Sequence, residues 1–358
     1  VTRATSTATS SRPDDLGVIV VMLELVVLAV GALAAYVLGA RFPRVVAGWV
    51  GRQSGIEAVP GPAWASAAKV DAVVLDRWGT VTTGRLKVTT VDPLDPDHVR
   101  NLRWFAGALE HEAEGRLARA IARLSPRGKV SGFEEVPGCG VQGSVDRHPV
   151  RVGRPAWVGM AERNDLGVVV GVELDGRPLG YLVVGDEPRE NARTAISRLS
   201  ALGVTPVLVS DDTARNTEHL AEACGIERSH PEIAPEKRAR LVAELQEQGH
   251  VVAVVSSRPE DAEAQAAADL AVGGDGGVRL QDLDVSRVTA LLSTARGVVA
   301  GSRLARPLGP VPALVGLGLA VLGLGSVVVA AICALLCLVT AAAVGTISVM
   351  RAGNLSPT

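Results

Sequence analysis

The sequence predicts an α/β protein: a doubly wound parallel sheet, an inserted α+β domain, and about three transmembrane helices. Three observations carry this reading. Short runs rich in β-branched residues alternate with amphipathic stretches at helical spacing through the middle of the chain. One such run, residues 70–75 (Val-Asp-Ala-Val-Val-Leu), ends on Asp76 before Gly79-Thr80. It reads as a buried parallel strand that delivers a carboxylate to its carboxyl end, where open α/β sheets place their chemistry. Finally, apolar runs long enough to cross a bilayer flank this region on both sides.

Composition narrows the function classes. A chain of 358 residues leads to an expectation of two or three domains. Thirty-six basic against 38 acidic residues give a net charge of −2, which offers no electrostatic case for a nucleic-acid partner. A hydrophobic share of 47% is high for a soluble chain and points to membrane lipid as a partner. Cys139, Cys224, Cys333 and Cys337 show no paired spacing in the soluble part, so no disulfide framework is implied.

Taken in order, residues 1–15 are rich in Ser and Thr and read as a disordered tail. Residues 16–40 hold an apolar run of about 23 residues and read as a transmembrane helix. Glu24 interrupts it, either as a carboxylate on an ion path or as a residue packed against a partner helix. Arg41, Arg44 and Arg52 follow, which puts the carboxyl end of this helix in the cytoplasm. Residues 41–92 read as a linker and the first part of the sheet domain, residues 93–180 as the inserted domain, and residues 181–300 as the rest of the sheet domain. The insert is expected to hold one long helix at 98–124, then strands near 135–141, 145–152 and 168–174. A helix is expected over 186–203, a strand over 204–209 ending at Ser210-Asp211-Asp212, and a helix over 213–225 with Gly225 as its cap. A helix over 235–249 then feeds a strand over 250–255, which ends at Ser256 and Ser257. After Arg306 no charge appears for 44 residues. That interval suits a transmembrane hairpin over 307–350, whose flanking arginines keep both ends, and so the large soluble domain, in the cytoplasm. Cys333 and Cys337 lie four apart on one helical face and read either as thiolate ligands for a soft metal or as small apolar packing.

Asp76-Arg77-Trp78-Gly79-Thr80 fits the Asp-x-x-Gly-Thr nucleophile loop of the haloacid-dehalogenase superfamily. The longer run through Val81-Thr82-Thr83-Gly84 resembles the phosphorylation loop of P-type ATPases, Asp-Lys-Thr-Gly-Thr-Leu-Thr-x-Gly. Pro137 to Gly143 resembles the Gly-x-Gly loop of that family's nucleotide-binding domain. Gly180 to Arg189, with Asp186, resembles the return into its phosphorylation domain. With Gly55-Ile56, Ala201-Leu202-Gly203, Ala267-Ala268-Asp269 and residues 346–355, the chain from about residue 25 on resembles the carboxyl-terminal half of a heavy-metal-transporting P-type ATPase.

The resemblance implies roles. Asp76 would be the nucleophile that accepts the γ-phosphoryl group of ATP, with Mg²⁺ as cofactor. Ser210 and Asp212 stand where the family has Thr-Gly-Asp, and Arg238, with Lys237 beside it, stands at the family's lysine. Glu114, Gly138 and Gly140 would bind nucleotide. Asp76 and Asp261 would hold the metal, although Ser257 replaces the carboxylate expected there. Other departures fall on the chemistry as well. Arg77 and Trp78 replace Lys and Thr, and the bulky indole is expected to crowd the phosphate unless it folds outward. Arg258 adds positive charge beside Ser257. Gly115-Arg116 replaces His-Pro at the adenine contact, and Ala32-Leu33-Ala34 replaces the metal-binding Cys-Pro-Cys. The 15 residues before the first apolar run are not expected to hold the family's actuator domain.

The expectation is therefore a truncated, catalytically impaired P-type cation-transporting ATPase-like membrane protein with a binding or regulatory role. Three other readings remain: a residual ATP-dependent phosphotransferase using Asp76, one half of a split pump partnered by a second membrane subunit or a full-length pump, and a decaying fragment. Losses scattered over the nucleotide, Mg²⁺ and metal sites, against an unbroken framework, favour the first.

Overall fold

The computed structural model describes residues 13–274 and 277–353, which form two compact units. One comprises residues 71–268 and 283–286, and the other the remaining described residues. Residues 1–12, most of the expected tail, lie outside the described residues.

In the first unit four parallel strands stand in the order Arg228–His230, Thr205–Val209, Ala72–Asp76, Val252–Val255. Ala72–Asp76 is buried along its whole length because both its neighbours and both its faces are covered, which its unbroken apolar composition anticipates. Ala72 and Val74 pack on one face with Val207, Val254, Leu241, Val242 and Leu245. Helix Pro235–Glu247 supplies the last three through its i, i+1, i+4 spacing. Thr213 caps helix Ala214–Cys224 by accepting from the Asn216 amide at 3.4 Å, and Gly225 closes it at φ +74°.

A six-stranded antiparallel sheet is built into this unit. Its order is Thr82–Pro93, Arg177–Pro188, Val168–Leu174, His148–Gly153, Gly140–Val145, Val130–Val136. Three expectations change here. The single helix over 98–124 is two, Val99–Glu110 and Arg116–Ala122, parted where Gly115 takes φ +110°. The strands expected at 135–141 and 145–152 each straddle a hairpin turn, because Gly138 at φ +75° and Asp146-Arg147 at φ +50° and +74° reverse the chain within them. The helix expected from 186 starts at Ala192, and Asp186 belongs to the strand Arg177–Pro188, where it pairs with Leu86.

In the second unit, helix Pro13–Gln53 begins inside the expected tail and runs past the arginines of the expected linker. Pro43 sits within it and packs against helix Val327–Gly353, where a Cβ at Gly345 would lie 3.0 Å from its ring. Among the described residues, three segments are long and apolar enough to cross a membrane: Gly17–Gln53, Val285–Val321 and Val327–Gly353. The chain is a multi-pass membrane protein with a soluble domain. The hairpin expected over 307–350 is corrected in its first arm. Helix Val311–Val321 alone is too short to span, and the apolar segment reaches back through Arg303 and Arg306 to helix Val285–Leu308. Small residues set the helix contacts. A Cβ at Gly31 would fall 2.5 Å from that of Ala334, and one at Gly39 2.8 Å from the Ala305 backbone. Cys333 and Cys337 are buried with Leu28, Ala313, Ala330 and Ala341, which is the packing role. Glu24 is 4% exposed and lies against the turn after Val321, its Oε2 2.7 Å from where a Gly325 Cβ would stand.

Candidate functional site

Asp76 emerges at the carboxyl end of its strand and the chain then winds tightly through Arg77–Val81, with Gly79 at φ +74°. Two side chains hold this loop from behind. Asp186 accepts from the Thr83 hydroxyl at 2.9 Å and from the Gly84 amide at 3.1 Å, and its Oδ2 lies 2.5 Å from the Thr82 hydroxyl. Arg189 donates to the carbonyls of Gly79 (2.9 Å) and Thr82 (3.1 Å), and is itself anchored on Asp284 at 3.2 Å. The loop is over-determined before any ligand arrives.

Around Asp76 the structure gathers two of the expected site residues, Arg238 and Asp261, with Ser256 and Arg258 beside them. Arg238, 2% exposed, places one guanidinium nitrogen 3.0 Å from Asp76 Oδ1 and 2.8 Å from both oxygens of Asp261. Ser256 donates to Asp261 Oδ2 at 2.5 Å. Arg258 stands 3.9 Å from Asp76 and bridges to Asp211 at 3.1 Å. Burial of Asp76 lifts its carboxyl from 3.8 to about 6. The Arg238 charge pulls it down, Asp261 pushes it up, and Arg258 pulls it down again. Burial also opposes ionisation of Asp211, but the hydrogen bond and charge of Arg258 outweigh it and hold that carboxyl below its ordinary value.

Other expected residues go elsewhere. Asp212 forms an ion pair with Arg77, and its amide donates to the Ser210 hydroxyl at 3.0 Å. Lys237 is exposed on the outer side of its helix, so of the two neighbouring cations only Arg238 reaches Asp76. Glu114 is exposed just before helix Arg116–Ala122. Gly138 stands in the turn that follows strand Val130–Val136, and Gly140 opens strand Gly140–Val145, where a Cβ would strike the Val152 carbonyl of the paired strand at 2.2 Å. The Trp78 ring lies under the Arg77 guanidinium at 5.0 Å and lines a cleft with Gly79, Ser257 and Arg258. Two contributors escaped sequence reasoning in their actual roles, Asp186 and Arg189. Both stand at the carboxyl end of the strand Arg177–Pro188, and the groups they hold lie about a hundred residues away in the sequence.

The donor set does not fit a Mg²⁺ ion. Such an ion requires several oxygen ligands around one point. Here a guanidinium already occupies the space between Asp76 and Asp261, both Asp261 oxygens are taken, and Ser257 offers an exposed neutral hydroxyl. Asp76 Oδ2 is without a hydrogen-bond partner among the described residues, as are Thr80 Oγ1 and the Nε and Nη2 of Arg238.

Comparison with known proteins follows the same lines. A family model described as haloacid dehalogenase-like hydrolase matches residues 70–269. A copper-exporting P-type ATPase of Mycobacterium tuberculosis is 33% identical over 263 residues, covering 70% of this chain and 35% of that protein. Another, from Mycobacterium leprae, is 32% identical over 295 residues, covering 76% of this chain and 38% of the relative. The chain thus spans little more than a third of the length of these relatives. Among solved structures, a zinc-transporting PIB-type ATPase in its E2.Pi state superposes with a TM-score of 0.69 at 23% identity, covering 88% of this chain and 56% of that one. That likeness establishes the fold. The chain belongs to the haloacid dehalogenase-like hydrolase family, as a membrane protein built like a P-type cation ATPase.

Proposed function

We propose that this chain is a catalytically silent P-type ATPase-like membrane protein with a binding or regulatory role. Its parallel-sheet domain keeps the phosphorylation scaffold and no longer runs a Mg²⁺-dependent phosphoryl cycle. One observation carries the reading: the guanidinium of Arg238 sits between Asp76 and Asp261. In P-type chemistry, Mg²⁺ and ATP would meet the aspartate there, and metal and cation together neutralise the charge of the transferred group. Arg238 neutralises the carboxylates permanently, and a fixed guanidinium is no substitute for an ion that bridges phosphate oxygens. Loss of one element that stabilises a charged transition state commonly costs on the order of a hundredfold or more.

The soluble domain is assigned to the cytoplasm by the arginines at 41–52, with a full-length pump or a second membrane subunit as the partner class. Transported ions are not assigned, since Ala32 and Ala34 offer no soft ligand. The test is phosphorylation of the full chain with γ-labelled ATP and Mg²⁺. The expected result is no hydroxylamine-sensitive phosphoenzyme, with the Asp76→Asn variant indistinguishable from the unmodified protein. Labelling that Asp76→Asn abolishes would replace this reading with residual phosphotransfer. Labelling gained by combining Ser257→Asp, Trp78→Thr and Arg238→Lys would show that the alignment survives and only the chemistry has gone.

A further inference from the structure

A cavity of about 470 Å³ lies between the inserted sheet and helix Ala214–Cys224. In the strand Arg177–Pro188, Leu182 and Val184 pack in one cluster with Leu109 and Ile121, on the face covered by helices Val99–Glu110 and Arg116–Ala122. Val183, Gly185 and Glu187 alternate with them along the strand and line the cavity from the other face. The opposite wall is helix Ala214–Cys224, where Arg215 and His219 stand four apart with Asn216 and Leu220 beside them.

Most charges in this cavity already have partners within the protein. Arg77 is paired with Asp212, Arg163 with Asp92 and Asp165, and Glu187 with Lys87. Asp186 is engaged by the Thr83 and Gly84 donors. Arg215 is exposed and donates to the Asn164 carbonyl, and among the described residues no acid pairs with it. Its guanidinium is therefore a cation left over, beside apolar surface from Leu166, Val183, Pro188 and Leu220. Arg77 Nε and Asn216 Oδ1, on two further lining residues, are buried without a hydrogen-bond partner, so the protein alone does not satisfy this wall. Apolar walls with a few placed polar groups, in a space of this size, are the usual form of a small-molecule site. Asp165, Asp186 and Glu187 share the cavity, and an anion of several charges would meet like charge there.

We infer that this cavity binds a small organic monocarboxylate with an apolar body, its carboxylate on Arg215 and its body against Leu166, Val183 and Leu220. The inference gives a ligand class to the binding role proposed above and rests on it. Arg77 and Asp186 both line the cavity, so an occupant would bear on the loop that carries Asp76.

The test is calorimetry on the full chain in lipid nanodiscs, with 4-phenylbutyrate as probe and its amide as the neutral counterpart. Expected is saturable one-to-one binding of the acid, with the amide at least tenfold weaker. Arg215→Gln should weaken the acid by a similar factor and leave the amide unchanged, since a hydrogen bond to a charged group is worth about tenfold or more. Gly185→Val should abolish binding of both and so report any uptake by the lipid. A Cβ there makes ordinary contact with Thr89 at 3.4 Å and the Leu166 carbonyl at 3.5 Å, and the side chain takes up cavity space. Arg100→Gln, at an exposed arginine outside the cavity, should change nothing. No binding, equal binding of acid and amide, indifference to Arg215→Gln, or displacement of the acid by inorganic phosphate would overturn the inference. A phosphoenzyme that Asp76→Asn abolishes would overturn the catalytic reading instead, so the two failures are distinguishable.

Discussion

Asp76→Asn should make the soluble domain more stable at neutral pH. The carboxyl of Asp76 is 3% exposed, and its ionisation is displaced from 3.8 to about 6, chiefly by burial. The neighbouring Arg238 charge offsets only part of that penalty. Above pH 7 the folded chain holds the charged form at a cost of about 3 kcal/mol relative to the unfolded chain, from the usual conversion of a pKa difference. The sign follows from proton counting. Below about pH 4 both states are protonated and the penalty is absent. Between about 4 and 6 the unfolded chain has released a proton that the folded chain retains, so stability falls as pH rises. Asparagine stands in for the neutral carboxyl, and its amide nitrogen can take the Oδ2 position, where no donor opposes it. The gain should be about 1 kcal/mol at pH 4.5 and up to about 3 kcal/mol at pH 7.5. In urea denaturation of the full chain followed by tryptophan fluorescence, that is a midpoint shift on the order of 1 M. A gain that does not grow with pH, or a loss at pH 7.5, would refute the argument that burial dominates at this carboxylate.

Asp186→Ala should cost the domain about 2–4 kcal/mol, since the Thr83 and Gly84 donors lose a charged acceptor, and faster amide exchange at Gly84 is the check. Gly31→Leu should lower the detergent melting temperature of the membrane unit through an overpacking cost of about 1–3 kcal/mol, because the new side chain meets Ala334; unchanged melting would count against that helix packing. A reporter fused at the carboxyl terminus should read as cytoplasmic, and an external signal would overturn the assigned orientation.

Much of the framework was legible because its strands are apolar on both faces and end in Asp, Ser or Thr. Ala72–Asp76, Thr205–Val209 and Val252–Val255 stand where their β-branched runs placed them. The inserted sheet was harder to read. Its strands are half exposed, and its turns at Asp146-Arg147 use residues with no Gly or Pro to announce them. The helix break at His111–Gly115 hides inside a continuous helical composition. At the site, the family resemblance named Asp76 and Arg238 as candidates, but only the folded chain shows that Arg238 grips Asp261 at the same time. Asp186 and Arg189 illustrate the limit: a clamp made across about a hundred residues of sequence has no local pattern.

The clamp has a mechanical consequence. Beyond Val184, where the strand Val168–Leu174 stops pairing, the strands Thr82–Pro93 and Arg177–Pro188 continue side by side as a two-stranded ribbon. Their register slips between Thr82 and Leu86, so residues 83–85 bulge from the ladder where Asp186 ties them down. Such a bulge bends a ribbon and increases its twist. Flexing would therefore concentrate at Gly84, and because the same peptide continues back through Gly79 to Asp76, it would be felt at the carboxylate. A twist applied to this ribbon would therefore load the loop that carries Asp76, which Asp186 and Arg189 pin through Gly84, Gly79 and Thr82.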